Sequence, residues 1–232
     1  MKILAVFAHP DDESFGPGGT LSRYATSGDE VHLVTMTRGE AGSLGISKFL
    51  PEKELANRRT AELECAAGKL HIQKLNIYDL PDKKLKNLPD EIGMRIIRTH
   101  LSEFSPDVVI TFHTNGISGH PDHQTVSRWT FQAVREMENA PRLLFFGVSP
   151  QQSASVRHRE IQAMREEEIT HIIDVSEFLP AKIEAIHCHV TQEELWNQFN
   201  QLEADYADFS RLEHFSQVWP PPNGAPIRND LF

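Results

Sequence analysis

Short apolar runs alternate along the chain with longer amphipathic stretches. Ile3 to Ala8 is a continuous apolar run, the pattern of a parallel strand buried on both faces. Pro10 ends it, because proline cannot donate to a ladder. Val31–Thr37, Ile72–Ile77, Pro106–Phe112, Leu143–Val148 and His171–Val175 read as further strands. Between them the spacing predicts a helix from Thr20, one over Pro51–Lys69 and one over 91–104, where Ile92, Ile96, Ile97, Leu101 and Phe104 recur at core spacing. Helices over Gln124–Met137, Lys182–His189 and Gln192–Asp205 complete the series, and 79–90 reads as a polar loop. The charged stretch 150–169 shows no buried element, and the prolines from Pro220 to Pro226 keep the tail from being a long helix. This alternation predicts an α/β fold: a Rossmann-like, doubly wound, mostly parallel sheet with a C-terminal helical extension. One domain spans 1–232, with a core over 1–150 and the extension over 151–232.

The polar residues that interrupt this pattern gather where predicted strands end. His9-Pro10-Asp11-Asp12-Glu13 follows the first strand, and Gly119-His120-Pro121-Asp122-His123 follows the fourth. Ligands of open α/β sheets bind at the carboxyl ends of strands, so the two clusters can converge. Neighbouring carboxylates repel unless a cation joins them. His9, Asp12 and His123 offer two imidazoles and one carboxylate, which leaves one coordination position open, as in catalytic zinc sites. Iron(II) suits the same donors. Asp11, diverging from Asp12, is a candidate general base, or else a helix cap. His120 is a candidate for stabilising an oxyanion or protonating a leaving amine, or else bonds a loop carbonyl. Asp122 either orients a histidine or caps the helix that follows. Arg38 either holds a hydroxyl or carboxylate of the substrate or pairs with Glu40 or a neighbouring subunit. Gly16-x-Gly18-Gly19 departs from the dinucleotide spacing and is a weak signal. His187 and His189, two apart on a helix, do not face one another. Trp196 and Phe199 read as core.

Composition narrows the classes. With 39% apolar and 24% charged residues the chain is an ordinary soluble one. Its net charge of -10 argues against a general nucleic-acid binder. The two cysteines, Cys65 and Cys188, lack CxxC spacing, so no disulfide framework is expected and a reducing cytoplasm is the default. The N-terminal apolar run is too short for a signal peptide, and no stretch approaches a membrane span. A cytoplasmic location with no membrane partner is expected.

Three stretches also resemble a known family. Ala8-His9-Pro10-Asp11-Asp12-Glu13 with Gly18-Gly19-Thr20, then Thr37-Arg38-Gly39-Glu40-Ala41-Gly42, then Gly119-His120-Pro121-Asp122-His123 are similar, in order, to signatures of the LmbE/PIG-L family of zinc-dependent N-acetylglucosaminyl deacetylases. The resemblance implies a Rossmann-like domain and one zinc per chain held by His9, Asp12 and His123. It implies Asp11 as base, His120 as electrostatic or acid partner, and removal of acetyl from an N-acetylated amino-sugar conjugate. It also implies a homo-oligomer, a trimer or hexamer. His189-Val190-Thr191-Gln192 is similar to the family's His-x-Ser-Gln, with Thr in place of Ser, and no role is carried to it. Two other classes use the same features. A metal-dependent phosphoesterase would want a second metal about 3.5–4 Å away. A non-catalytic sugar-binding module would lose the base, and the intact Asp11 argues against it.

Overall fold

The computed structural model describes residues 1–42, 50–156, 160–200 and 209–232, without the side chains of 196 and 198–200. Its strands are β1 (Lys2–Phe7), β2 (Glu30–Thr37), β3 (Lys74–Leu80), β4 (Val108–Phe112), β5 (Arg142–Gly147), β6 (His171–Asp174) and β7 (Leu212–Trp219). Its helices are α1 (Asp12–Phe15), α2 (Gly18–Thr26), α3 (Glu52–Lys69), α4 (Asp90–Phe104), α5 (Gly116–Gly119), α6 (Pro121–Arg135), α7 (Pro150–Ser155), α8 (Leu179–Cys188) and α9 (Glu193–Asn200). The seven strands form one sheet in the order β3-β2-β1-β4-β5-β7-β6. β1 to β5 pair in parallel, and β7 runs antiparallel between β5 and β6.

The continuous apolar runs are the central strands. Every residue from Ile3 to Ala8 is fully buried, and β4 is buried throughout. That is the burial of a sheet covered on both faces, with α3 packed on α8 and α4 on α6. β1 lies between β2 and β4, so the winding direction reverses there. The crevice that opens between their carboxyl ends is the switch point at which such sheets bind ligands.

The C-terminal third differs from a purely helical extension, because it also supplies β6 and β7 to the sheet. β7 carries mixed residues over Leu212–Trp219, and its partners are two strands distant in sequence, so no local pattern marks it. The tail is anchored beyond it: Arg228 exchanges backbone hydrogen bonds with Thr170 and Ile172, and Leu231 is fully buried. The expectation about cysteine is corrected. Cys65 on α3 and Cys188 on α8 form a disulfide with Cα atoms 5.8 Å apart, at a sequence separation of 123. The contact of α3 with α8 brings them together, and spacing along the chain carries no trace of it. No helix among the described residues is long and apolar enough to cross a membrane. Ser43, Leu44 and Gly45 of the glycine-rich loop, positions 157–159 of the charged stretch, the end of the predicted helix after Asn200, and the Trp196 and Phe199 side chains lie outside the described residues.

Candidate active site

The two predicted clusters meet at the β1/β4 crevice. His9 leaves the end of β1, and Asp12 opens α1 and turns its carboxylate back to the His9 backbone N–H at 2.7 Å. His123 comes from the first turns of α6. His9 Nδ1 lies 3.4 Å from Asp12 Oδ2, His123 Nε2 lies 3.1 Å from Asp12 Oδ1, and the two ring nitrogens are 3.3 Å apart. A tetrahedral zinc with bonds of about 2.0–2.1 Å has ligand-to-ligand edges of roughly 3.3–3.4 Å, so this trio is spaced as donors to one ion.

The outer hydrogen bonds say which nitrogens carry lone pairs. His9 Nε2 faces two carboxylates, Asp82 Oδ1 at 3.1 Å and Asp122 Oδ2 at 3.3 Å, so it carries the proton and Nδ1 is free to coordinate. His123 Nδ1 donates to the Gly116 carbonyl at 3.1 Å, which frees Nε2. Two imidazole lone pairs facing one another at such a distance need a proton or a cation between them. Burial works to lower the His9 pKa, but Asp12, Asp122 and Asp82 outweigh it and raise it well above the ordinary value. Asp12 is held well below the ordinary carboxylate range, despite its burial, by His123 and His9. The chemistry of the donors therefore fits a divalent cation.

Asp122 does not cap α6. Its Oδ1 accepts from the Leu85 N–H at 3.1 Å and its other oxygen holds His9. The cap is His120, whose Nδ1 accepts from the Asp122 N–H at 3.2 Å. That leaves the His120 Nε2–H to face the cleft, with ring centroids 4.8 Å from His9 and 4.7 Å from His123. Burial, reinforced by those two rings, depresses its pKa to about 4.

Asp11 lines the same cleft with a left-handed backbone, φ 112°, which a non-glycine residue adopts only when its neighbours enforce it. Its N–H donates to Glu13 Oε2 at 3.1 Å, and its carboxylate meets the Arg59 guanidinium at 3.0 Å. Burial pushes the Asp11 carboxyl up to about 6, against the pull of Arg59. Glu13 is fully buried and pairs with His189 Nε2 at 2.7 Å, so a residue from the end of α8 reaches the Asp11 backbone through Glu13.

Arg38 is not brought into the cleft. It donates to Thr60 Oγ1 and Asn57 Oδ1 on α3, while Glu40 accepts from the Asp82 N–H. The guanidinium inside the cleft belongs to Arg59, which also donates to the Pro10 and Gly39 carbonyls. A Cβ added at Gly39 or Gly42 would come within 2.5 or 2.3 Å of that guanidinium, so the glycine-rich loop makes room for Arg59. Asp82 and Arg59 are the site residues that sequence reasoning missed; Glu13 and His189 stand in the sequence motifs without a role, and the structure pairs them. Asp82 follows the third strand at the same sheet edge, a placement that could have found it. Gly16-x-Gly18-Gly19 opens α2, and the Glu213 carboxylate from β7 occupies that helix start, accepting from the Gly19 and Thr20 N–H groups at 2.9 and 2.8 Å. The place where a nucleotide phosphate would sit holds an anion of the chain itself.

Comparison with known proteins gives the family. The model of the family described as "PIG-L: GlcNAc-PI de-N-acetylase" matches residues 4–134, more than half of the chain and all three clusters of interest. The chain belongs to the PIG-L family. A PIG-L relative, the probable N-acetyl-alpha-D-glucosaminyl L-malate deacetylase 2 of Bacillus anthracis, is 30% identical over 89% of this chain and 87% of its own. The 1D-myo-inositol 2-acetamido-2-deoxy-alpha-D-glucopyranoside deacetylase 1 of Saccharopolyspora erythraea is 29% identical over 84% of this chain and 78% of its own. Among solved structures, GalB, the 4-carboxy-2-hydroxymuconate hydratase of Pseudomonas putida, superposes with a TM-score of 0.74 at 19% identity, covering 97% of this chain and 98% of that one. At that identity the likeness concerns the fold alone.

Proposed function

We propose that this PIG-L protein is a metal-dependent amidohydrolase that removes the acetyl group from an N-acetylglucosamine conjugate of small-molecule size, with zinc as the metal. The observation that carries the reading is the donor trio His9, Asp12 and His123, spaced for one ion and with both tautomers set by outer partners, beside the Asp11 carboxylate held by Arg59. The two curated relatives named above are deacetylases of such conjugates, with inositol or malate as the aglycone.

In this reading His9 Nδ1, Asp12 and His123 Nε2 hold the metal, and Asp82 and Asp122 orient His9. The bound metal supplies Lewis acidity, polarising the carbonyl and lowering the pKa of water in the site. Asp11 takes the proton of the attacking water, and its raised pKa suits it to give that proton on to the leaving nitrogen. His120, neutral and with Nδ1 engaged as a helix cap, donates Nε2–H to the developing oxyanion. Arg59, at the cleft wall, holds Asp11 in place.

The test is acetate release from N-acetylglucosamine and its inositol and malate conjugates, with a chelator and with zinc or iron(II) restored. Chelator-sensitive release is expected, and the metal that restores the faster turnover is the working one. A metal-loaded protein that frees no acetate from any of them would overturn the reading. A stoichiometry near two metals per chain would favour the phosphoesterase instead.

A further inference from the structure

The cleft has two unlike walls, with the metal donors between them. Toward β2 and β3 it is lined by Arg59, Asp82 and Lys83; the ends of β5 and β7 and the segments beside them contribute Phe146, Val148, Ile161, Phe209 and Leu212, with Gln152, Glu194 and Ser210 among them. The sheet brings the apolar residues of the second wall together. Phe146 pairs with Phe215 and Gly147 with His214, which sets Leu212 near the end of β5. The Met164 N–H donates to the Val148 carbonyl and the Gln162 N–H to the Ile117 carbonyl, which brings Ile161 to the same edge. Two of the polar groups at that end are engaged with the protein. Gln152 Nε2 donates to the Phe209 and Leu212 carbonyls, and Lys182 Nζ donates to the Gly16 carbonyl and to Glu213.

The cavity measures about 530 Å³. An acetyl group offers such a wall a single methyl. An amide carries its sugar on nitrogen and its acyl group on the other side of the C–N bond. With the carbonyl at the donors and the hydroxylated ring against Arg59, Asp82 and Lys83, the acyl group is directed to the phenylalanines.

We infer that the apolar wall is an acyl subsite, and that the protein hydrolyses amino-sugar amides whose acyl groups are longer than acetyl. The inference rests on the amidohydrolase reading above. The oxygen of water bonds to the carbonyl carbon, the C–N bond breaks, the nitrogen takes up the proton, and a longer carboxylate and a free amine leave. Each buried methylene adds a gain of about three- to fourfold in kcat/KM.

The test compares kcat/KM of the metal-loaded enzyme on N-acetyl-, N-butanoyl- and N-hexanoyl-glucosamine carrying one common aglycone, read as free amine. A stepwise rise with chain length is expected. Leu212→Trp, which narrows the wall, is expected to pull the hexanoyl-to-acetyl ratio down toward one. Turnover of the acetyl substrate with a ratio that is flat or falls with chain length would overturn the acyl subsite and leave the amidohydrolase standing. No amine from any of the three would overturn both. A gain with the octyl glycoside of N-acetylglucosamine, without one along the acyl series, would refute the inference by assigning the wall to the aglycone.

Discussion

Replacing His189 with leucine tests whether the end of α8 supports Asp11, the proposed base. His189 and Glu13 are both fully buried and 2.7 Å apart. Removing one partner of such a pair strands the other and costs about 3–5 kcal/mol. Glu13 keeps donors in the Ser14 hydroxyl at 2.5 Å and the Asp11 N–H at 3.1 Å, which places the loss near the lower end, about 3 kcal/mol. In a chain of this size each kcal/mol moves Tm by about 2–4 °C, so a fall of about 6–12 °C is expected with metal saturating. The sign with pH follows from His189. Burial works to lower its pKa, and Glu13 more than offsets this and raises it above 6.5. A raised folded-state pKa means that the stabilisation is full below 6.5 and fades as pH climbs through the folded value. The gap in Tm between wild type and variant is therefore widest at acid pH and narrows in alkaline buffer. Because the Glu13 carboxylate also holds the Asp11 N–H, kcat falls too while metal content stays whole. A variant within about 2 °C of wild type under acid conditions, or a gap that widens with pH, would refute the reasoning.

Asp11→Asn is expected to keep the metal and lose about 10²–10⁴-fold in kcat, the usual share of a positioned general base; wild-type turnover would remove Asp11 from that role. His123→Ala is expected to lose the metal, and full stoichiometry by elemental analysis would sink the ligand assignment. Asp82→Ala, which takes one of two carboxylates from His9 Nε2, is expected to weaken metal affinity about 10–100-fold in a chelator competition, and unchanged affinity would show that Asp122 suffices. Arg59→Ala is expected to cut kcat/KM far more than Arg38→Ala, since only Arg59 reaches the cleft; the reverse order would return the substrate to Arg38.

The candidate site was legible in part, and the divide has a physical cause. His9, Asp12 and His123 stand in polar knots at strand ends, a local signal, and the parallel order of β1 and β4 brings those ends together. Asp122 was visible as a residue and ambiguous in its use, because capping and orienting a histidine draw on the same side chain. The structure separates them by giving the cap to His120. Arg59 lies among other charged residues in the helix predicted over Pro51–Lys69, and nothing local sets it apart. Its burial is visible only once the loop with Gly39 and Gly42 folds over it.

By itself the sequence determined which segments are strands of a parallel sheet, that their carboxyl ends carry imidazoles and carboxylates suited to one metal, and which family the chain belongs to. These are local matters of hydrophobic period, proline and glycine placement, and donor type. The tertiary structure alone decided the insertion of β7 between β5 and β6, the joining of Cys65 to Cys188, and the pairs Glu13–His189 and Lys182–Glu213. It also decided which arginine enters the cleft and that one wall of the cleft is apolar. Each of these is a contact between residues distant along the chain, set by how helices and strands pack, and no period in the sequence encodes such a contact.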